Sequence, residues 1–206
     1  MSVLVKICGI TSLDDAMDAA DCGVDWLGFN FYPDSPRYIE PAKAFEIIQD
    51  IPSAIEKIGV FVNEAADKVA DIAIDLSLDR LQFHGDETAE YCNAFGRPWY
   101  KAFRLQTEGD LAPIPSYECD WILADAFVEK AFGGTGVVSN WDLARCAGER
   151  KKLILSGGLK PENIEMALEA VKPQAVDVAS GVESSPGVKD KFKVEEFIKR
   201  VKRFKK

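Results

Sequence analysis

Residues 152–182 read KLILSGGLKPENIEMALEAVKPQAVDVASGV, and this stretch contains the unit from which the fold is predicted. Two short apolar runs, at residues 152–155 and 175–179, are continuous rather than alternating, which is typical of parallel strands covered by helices. The segment between them carries one apolar stripe at helical spacing, made by Ile164, Ala167, Leu168 and Val171. The stretch therefore predicts a β-α-β unit, with Pro161 suited to the first position of its helix.

The same alternation recurs along the chain. Eight strands are predicted, at residues 3–8, 26–31, 57–62, 80–83, 99–103, 121–126, 152–155 and 175–179. Helices are predicted between them and are only weakly marked near residues 108–111 and 141–146. Eight β-then-α units in 206 residues predict an α/β fold, a (β/α)8 barrel forming one domain over residues 1–206. The alternative, an open doubly wound sheet, usually shows G-x-G-x-x-G after its first strand, whereas this strand ends in CGIT.

Stripes and start signals locate the other helices. Apolar stripes at helical spacing fall at Leu13, Ala16, Met17 and Ala20, at Ala44, Ile47, Ile48 and Ile51, and at Val194, Phe197, Ile198 and Val201. Thr11 is predicted to precede the first helix and Asn63 the third, while Pro41 suits a first helical position.

Composition restricts the class of protein. A net charge of −9 disfavours nucleic-acid binding, which needs a basic face. The basic cluster at residues 199–206 is interpreted as the end of a solvated last helix, because cations stabilise that end. The first apolar run is too short for a signal peptide or a membrane span. Five cysteines without C-x-x-C spacing indicate reduced thiols in a cytoplasmic protein. A monomer is expected, and a homodimer stays open.

Two glycine-containing turns are candidate phosphate sites. Gly157 and Gly158 follow the seventh strand, and Ser180 and Gly181 follow the eighth. Asp177, in the eighth strand, is also predicted as a phosphate-site residue. Phosphate sites in (β/α)8 barrels commonly use these two loops, because glycine lets backbone N–H groups approach the oxygens. Tight turns are the alternative for either loop alone, and the occurrence of both at adjacent strands favours phosphate.

A third glycine cluster comprises Gly133, Gly134 and Gly136, after the sixth strand. It is predicted to contact the substrate as part of a lid that closes over a ligand. A plain connection fits its position equally well.

Cys8 and Asp125 are the candidate acid–base groups, because they end the first and sixth strands. Function in these barrels collects at such strand ends. The alternatives are a small buried apolar residue for Cys8 and a loop cap for Asp125. Cys8 precedes a helix start, which favours thiolate, and partial burial would let Asp125 hold a proton. If Cys8 faces the barrel axis, Lys6 does too, because side chains alternate along a strand.

Two further side chains are candidate substrate contacts. Arg37 lies in a loop stiffened by two prolines, from which it could hold a carboxylate by two hydrogen bonds. His84, the only histidine, follows the fourth strand. A surface arginine and a structural histidine are the alternatives.

Taken together, these motifs resemble phosphoribosylanthranilate isomerase over nearly the whole chain. The matching segments are residues 6–11 (KICGIT), 28–33 (GFNFYP), 35–39 (SPRYI), 59–63 (GVFVN), 81–87 (LQFHGDE), 133–136 (GGTG), 156–159 (SGGL), 176–183 (VDVASGVE) and 186–190 (PGVKD). Each motif is modest alone, and the ordered set at strand ends is specific.

The resemblance implies a phosphosugar substrate and a reaction. N-(5'-phosphoribosyl)anthranilate would undergo an Amadori rearrangement, with Asp125 as general acid and Cys8 as general base. Arg37 would bind the anthranilate carboxylate, and the phosphate would lie on the loops after strands seven and eight. Two positions depart from the expected pattern: Asn30 replaces a more apolar residue, and Ala179 stands where serine is frequent. The resemblance implies no cofactor and no metal.

Two rival functions stay open. Another phosphosugar-binding barrel isomerase is expected to have aspartate at the end of its first strand, where this chain has Cys8. A non-catalytic sensor of a phosphate ligand would keep the glycine loops but would not need Cys8 and Asp125.

Overall fold

A computed structural model describes residues 2–125 and 136–204. Eight parallel strands form a closed barrel in which each strand pairs with its sequence neighbour and the last pairs with the first. The strands are β1 Leu4–Cys8, β2 Trp26–Asn30, β3 Glu56–Phe61, β4 Arg80–Phe83, β5 Trp99–Arg104, β6 Trp121–Asp125, β7 Lys152–Ser156 and β8 Ala175–Val178. All eight predicted strands are confirmed, and no predicted end differs by more than one residue.

Seven α-helices lie within the described residues. They are α1 Leu13–Asp21, α2 Pro41–Ile48, α3 Ala66–Asp75, α4 Ala89–Asn93, α5 Gly136–Gly148, α6 Ile164–Val171 and α7 Lys191–Arg203. Two 3-10 turns, Glu108–Leu111 and Ile114–Ser116, replace the helix expected after β5. A hairpin of β9 Glu183–Ser185 and β10 Val188–Lys189, absent from the prediction, follows β8.

Thr11 and Asn63 precede their helices but do not cap them, for which local hydrogen bonds give the reason, and Pro161 does not begin its helix. The cap of α1 is Ser12, which accepts from Asp15 N, while the Thr11 hydroxyl donates to the carbonyl of Gly187. Asn63 adopts φ 51° and accepts from Asp86 N, so it holds the next loop instead of capping α3. Helix α6 begins at Ile164, three residues after Pro161, whereas Pro41 does begin α2.

Apolar side chains form one layer between the strands and the helices and a smaller cluster inside the barrel. The stripes of α6 and α7 are buried as predicted. In α1 the buried residues are Ala16 and Ala19, while Leu13 is exposed. The basic end of α7 confirms the interpretation of the C-terminal cluster as far as Arg203. No helix among the described residues is long and apolar enough to cross a membrane.

The barrel wall leaves little room at Gly59 in β3. A Cβ there would lie 2.5 Å from Leu78 Cδ1 and 2.7 Å from Phe61 Cε2, whereas a Cβ at Gly96 would meet nothing within 4 Å. We expect Gly59→Ala to destabilise the protein by about 1–3 kcal/mol through overpacking, and Gly96→Ala to be neutral or mildly stabilising. Urea unfolding midpoints of both variants test this, and equal midpoints would contradict it.

Candidate active site

The candidate acid–base residues and phosphate loops follow one another around the carboxyl end of the barrel. Asp125 ends β6 and Cys8 ends β1, and the two strands between them are β7 and β8. The glycine loops that follow β7 and β8 therefore separate the two candidate residues.

The two glycine loops line a cavity of about 240 Å³ that also includes Asp125 and Ser156. Gly157 and Gly158 have φ of 91° and 64°, a conformation that side chains rarely adopt. A Cβ on Gly181 would lie 1.8 Å from the carbonyl oxygen of Leu159, so the two loops touch through bare backbone. This close approach explains why glycine is needed there, and Ser180 lies on the exposed rim.

Asp177 faces the barrel interior below the two glycine loops and is buried. Its carboxylate accepts from Lys6 Nζ at 2.9 Å and from Ser156 Oγ at 3.2 Å. Lys6 is fully buried, and its ammonium also donates to Gln82 Oε1 at 2.8 Å. Burial alone would lower the pKa of Lys6, but Asp177, with smaller contributions from Cys8 and Tyr100, outweighs that effect, and the pKa is raised.

Cys8 is buried on the same inward face as Lys6, as strand alternation predicts. A Cβ on Gly28 would lie 2.8 Å from Cys8 Sγ and 3.0 Å from Lys6 Cε, so both side chains use the space that this glycine leaves. Burial raises the pKa of Cys8, against partial compensation by the charge of Lys6. The expectation that a helix start would lower this pKa is therefore wrong.

His84 lies at the mouth of the barrel between Gln82 and Asp125. Gln82 Oε1 accepts from Lys6 Nζ and Tyr100 Oη, so its amide nitrogen donates to His84 Nδ1 at 2.7 Å. The remaining ring nitrogen then carries the proton, and it lies 4.0 Å from Asp125 Oδ2. Burial lowers the pKa of His84, which favours the neutral ring.

Arg37 is brought to the strand end that carries Cys8. A Cβ on Gly9, which has φ 76°, would lie 2.6 Å from Arg37 Cδ, so the arginine stem lies directly over this glycine. Asn30 holds the loop, since its amide donates to Ser35 Oγ, which accepts from Arg37 N. The unexpected polar residue at position 30 therefore has a structural role.

The predicted glycine cluster after β6 is described only in part. Gly133 and Gly134 lie outside the described residues, and Gly136 is the first residue of α5. Sequence reasoning missed Gln82, Tyr100, Glu183 and Lys189, all of them buried. Strand alternation from His84 could have indicated Gln82.

In the part of the chain that the structure describes, no group of three His, Cys, Asp or Glu could hold a metal ion.

This arrangement defines a class, that of (β/α)8-barrel enzymes whose titratable side chains and glycine loops meet at the carboxyl ends of the strands. Comparisons with known proteins then identify the family. The family model for N-(5'-phosphoribosyl)anthranilate (PRA) isomerase matches residues 5–200. The chain belongs to this family, whose members are aldose–ketose isomerases of tryptophan biosynthesis.

Individual relatives are similar to this chain over nearly its full length. The N-(5'-phosphoribosyl)anthranilate isomerase of Geobacter metallireducens is 50% identical over 200 residues, which cover 97% of this chain and 99% of the relative. A phosphoribosylanthranilate isomerase solved with reduced 1-(o-carboxyphenylamino)-1-deoxyribulose 5-phosphate is 40% identical, with a TM-score of 0.87 and coverage of 98% and 100%. A solved monomeric form of the dimeric Thermotoga maritima enzyme is 40% identical, with a TM-score of 0.85 and the same coverage.

The single histidine makes the mouth of the barrel observable in solution. Because burial lowers its pKa, we expect His84 to titrate below its ordinary value of about 6.5. The ring Cε1–H resonance, followed by proton NMR from pH 5 to 8, measures this without assignment. Asp125→Asn should lower the pKa further, because the carboxylate favours the charged ring. A midpoint at or above 6.5 in the unmodified protein would contradict the expected shift.

Proposed function

We propose that this chain isomerises N-(5'-phosphoribosyl)anthranilate by two proton transfers, with Asp125 as general acid and Cys8 as general base. The order of groups around the barrel mouth carries the proposal. A substrate whose phosphate lies on the loops after β7 and β8 extends between the strand ends of β6 and β1, which bear these two residues. Acid and base can then act on different atoms of one sugar without exchanging places.

The chemistry follows from this placement. Asp125 protonates the furanose ring oxygen, the C1–O bond breaks, and the anthranilate nitrogen forms a protonated Schiff base with C1. The Cys8 thiolate then takes the proton from C2, and the electrons form an enolamine. Transfer of the enol proton to solvent and protonation of C1 give 1-(2-carboxyphenylamino)-1-deoxyribulose 5-phosphate. Cys8 then returns its proton and Asp125 regains one through solvent, so protons are exchanged and bonding pairs shift within the substrate with no net oxidation or reduction.

Lys6 supports the base in this proposal. Burial raises the pKa of Cys8, so a thiolate needs a neighbouring cation, and Lys6 supplies one on the same inward face. Asp177 and Gln82 fix the Lys6 ammonium, since each accepts one of its hydrogen bonds. Lys6 thus acts as a positioning and electrostatic residue below the reacting atoms.

The phosphate is assigned to backbone N–H groups of Gly157, Gly158, Ser180 and Gly181. The Asp177 carboxylate would repel a phosphate at close range, and its bonds to Lys6 and Ser156 support an indirect role beneath the loop. Arg37 is assigned to the anthranilate carboxylate, because its stem lies against Gly9, next to the proposed base. The ligand in the solved relative carries both a phosphate and an aryl carboxylate, which supports two anion sites.

His84, Gly133, Gly134 and Gly136 complete the proposed substrate contacts. A single catalytic domain over residues 1–206 and a cytoplasmic location fit the closed barrel and five free cysteines. A monomer stays our prediction, although the Thermotoga maritima relative is dimeric. A phosphate-ligand sensor is disfavoured by the acid–base pair, which sensing does not require.

The two catalytic roles are tested by Cys8→Ser and Asp125→Asn, with substrate generated in situ and the loss of anthranilate fluorescence recorded. Each variant should lose about 10²–10⁴-fold in turnover, the typical contribution of a general acid or base. Both should still bind the reduced product analogue, because the phosphate and carboxylate sites are intact. Cys22→Ser and Asp21→Asn, at the far end of α1, are matched controls that should keep full activity. Full activity of Cys8→Ser or Asp125→Asn would refute the role of that residue.

The raised pKa of Cys8 gives this role a pH signature. The reaction needs Cys8 ionised and Asp125 protonated, so kcat/KM should follow a bell-shaped profile in which one limb belongs to Cys8. Because burial raises the pKa of Cys8, that limb should lie above the ordinary Cys value of about 8.5. Cys8→Asp replaces the thiol by a much stronger acid, and this limb should move to lower pH. Rates between about pH 4 and pH 10 measure both profiles. Superimposable profiles would show that another group titrates.

A further inference from the structure

Glu183 is a buried carboxylate that the proposed reaction does not use. It is the first residue of β9, and its carboxylate receives two parallel hydrogen bonds from Arg37, Nε to Oε1 and Nη2 to Oε2, both 2.7 Å long. Lys189 Nζ donates to the same carboxylate at 2.8 Å. Glu183 and Lys189 are each 7% exposed, and Arg37 is half-buried, so two cations share one carboxylate that is largely shielded from solvent.

The cluster connects three parts of the proposed site. Glu183 directly follows the 3-10 turn Ser180–Val182, which forms the second phosphate loop. Lys189 Nζ also donates to the carbonyl of Cys8 at 2.6 Å, at the end of β1. Arg37 comes from the loop after β2. The carboxylate of Glu183 therefore fixes an arginine, a phosphate loop and the strand end that bears the proposed base relative to one another.

We propose that Glu183 is a positioning residue that holds Arg37 in the orientation needed to bind the aryl carboxylate of the substrate. The inference rests on the carboxylate-binding role proposed above for Arg37. Glu183 occupies the guanidinium edge formed by Nε and Nη2, which uses two of its five N–H groups. At the end of the guanidinium, the second N–H of Nη2 and one N–H of Nη1 point the same way and can serve a second carboxylate. A side chain with many rotamers is thereby fixed before the substrate arrives.

The charge balance of the cluster agrees with this role. One carboxylate between Arg37 and Lys189 leaves a net charge of +1, which still attracts an anion. Although burial opposes ionisation, the bonds from Arg37 and Lys189 hold the pKa of Glu183 below its usual range. Without this anion, two largely buried cations would face each other, and Arg37 would be free to turn away.

Glu183→Gln tests the proposal, because it preserves shape and removes the charge. Two probes distinguish a loss of Arg37 orientation from a general disruption of the site. They are the reduced product analogue and the same compound with phenyl in place of carboxyphenyl. We expect the variant to bind the first at least tenfold more weakly and the second, together with inorganic phosphate, within about twofold of the unmodified protein. The KM for substrate should rise more than kcat falls.

Glu56→Gln is the matched control. Glu56 also holds an arginine, Arg80, by two hydrogen bonds, but at the amino end of the strands, opposite the mouth. This variant should leave both probe affinities unchanged. Should Glu183→Gln fail to fold, Glu183→Asp keeps the charge but withdraws the carboxylate by one methylene, and it should show the same selective loss.

Arg37→Met separates failure of this inference from failure of the role of Arg37. Loss of preference for the carboxylated probe in Arg37→Met, with unchanged preference in Glu183→Gln, would overturn the positioning role alone. Unchanged preference in Arg37→Met would overturn the role of Arg37 and, with it, the inference. Equal weakening of both probes by Glu183→Gln would show a merely structural effect and also overturn it.

Discussion

The ion pair between Lys6 and Asp177 inside the barrel constrains the rest of the site. An ammonium with no exposed surface is costly to bury unless it is paired and hydrogen-bonded. Asp177 provides the charge from the neighbouring strand β8, and Gln82 provides a neutral acceptor from β4, across the barrel. Tyr100 completes the group by donating to the same Gln82 oxygen. The barrel axis below the mouth is thus polar, and its hydrogen-bond directions are fixed.

The hydrogen-bond directions of this group also determine those of residues closer to the mouth. Since Gln82 accepts through its oxygen, it must donate through its nitrogen, which selects the tautomer of His84 facing Asp125. Since Asp177 receives Lys6 on one oxygen, its other oxygen can hold Ser156 at the start of the first phosphate loop. One buried cation therefore influences strand ends on β4, β7 and, through the electrostatics of Cys8, β1.

The fold was predictable because its signal is local. Continuous apolar runs indicate the strands, and the glycines after β7 and β8 indicate close backbone approach. Both signals can be read from short segments, without knowing which distant residues they contact. The face of α1 was harder to predict: Ala16 of the predicted stripe is buried, but Leu13 is exposed, and packing buries Ala19, which the spacing did not indicate. The role of Glu183 could not be predicted, since its partner Arg37 lies 146 residues away in sequence. The pKa of Cys8 was mispredicted for a related reason: a neighbouring helix start is visible in sequence, whereas burial is not.

Cationic side chains are concentrated on the Cys8 side of the mouth, and they partly offset the effect of burial on the proposed base. Low dielectric surroundings disfavour an ionised thiol, so a buried thiolate needs positive charge nearby. Lys6, Lys189 and Arg37 are grouped on the Cys8 side, and each interacts electrostatically with its sulfur. On the other side, burial favours the neutral form of His84, so its ring adds no positive charge beside Asp125. The cations on the Cys8 side favour the thiolate, but they offset only part of the effect of burial, because the pKa of Cys8 remains raised.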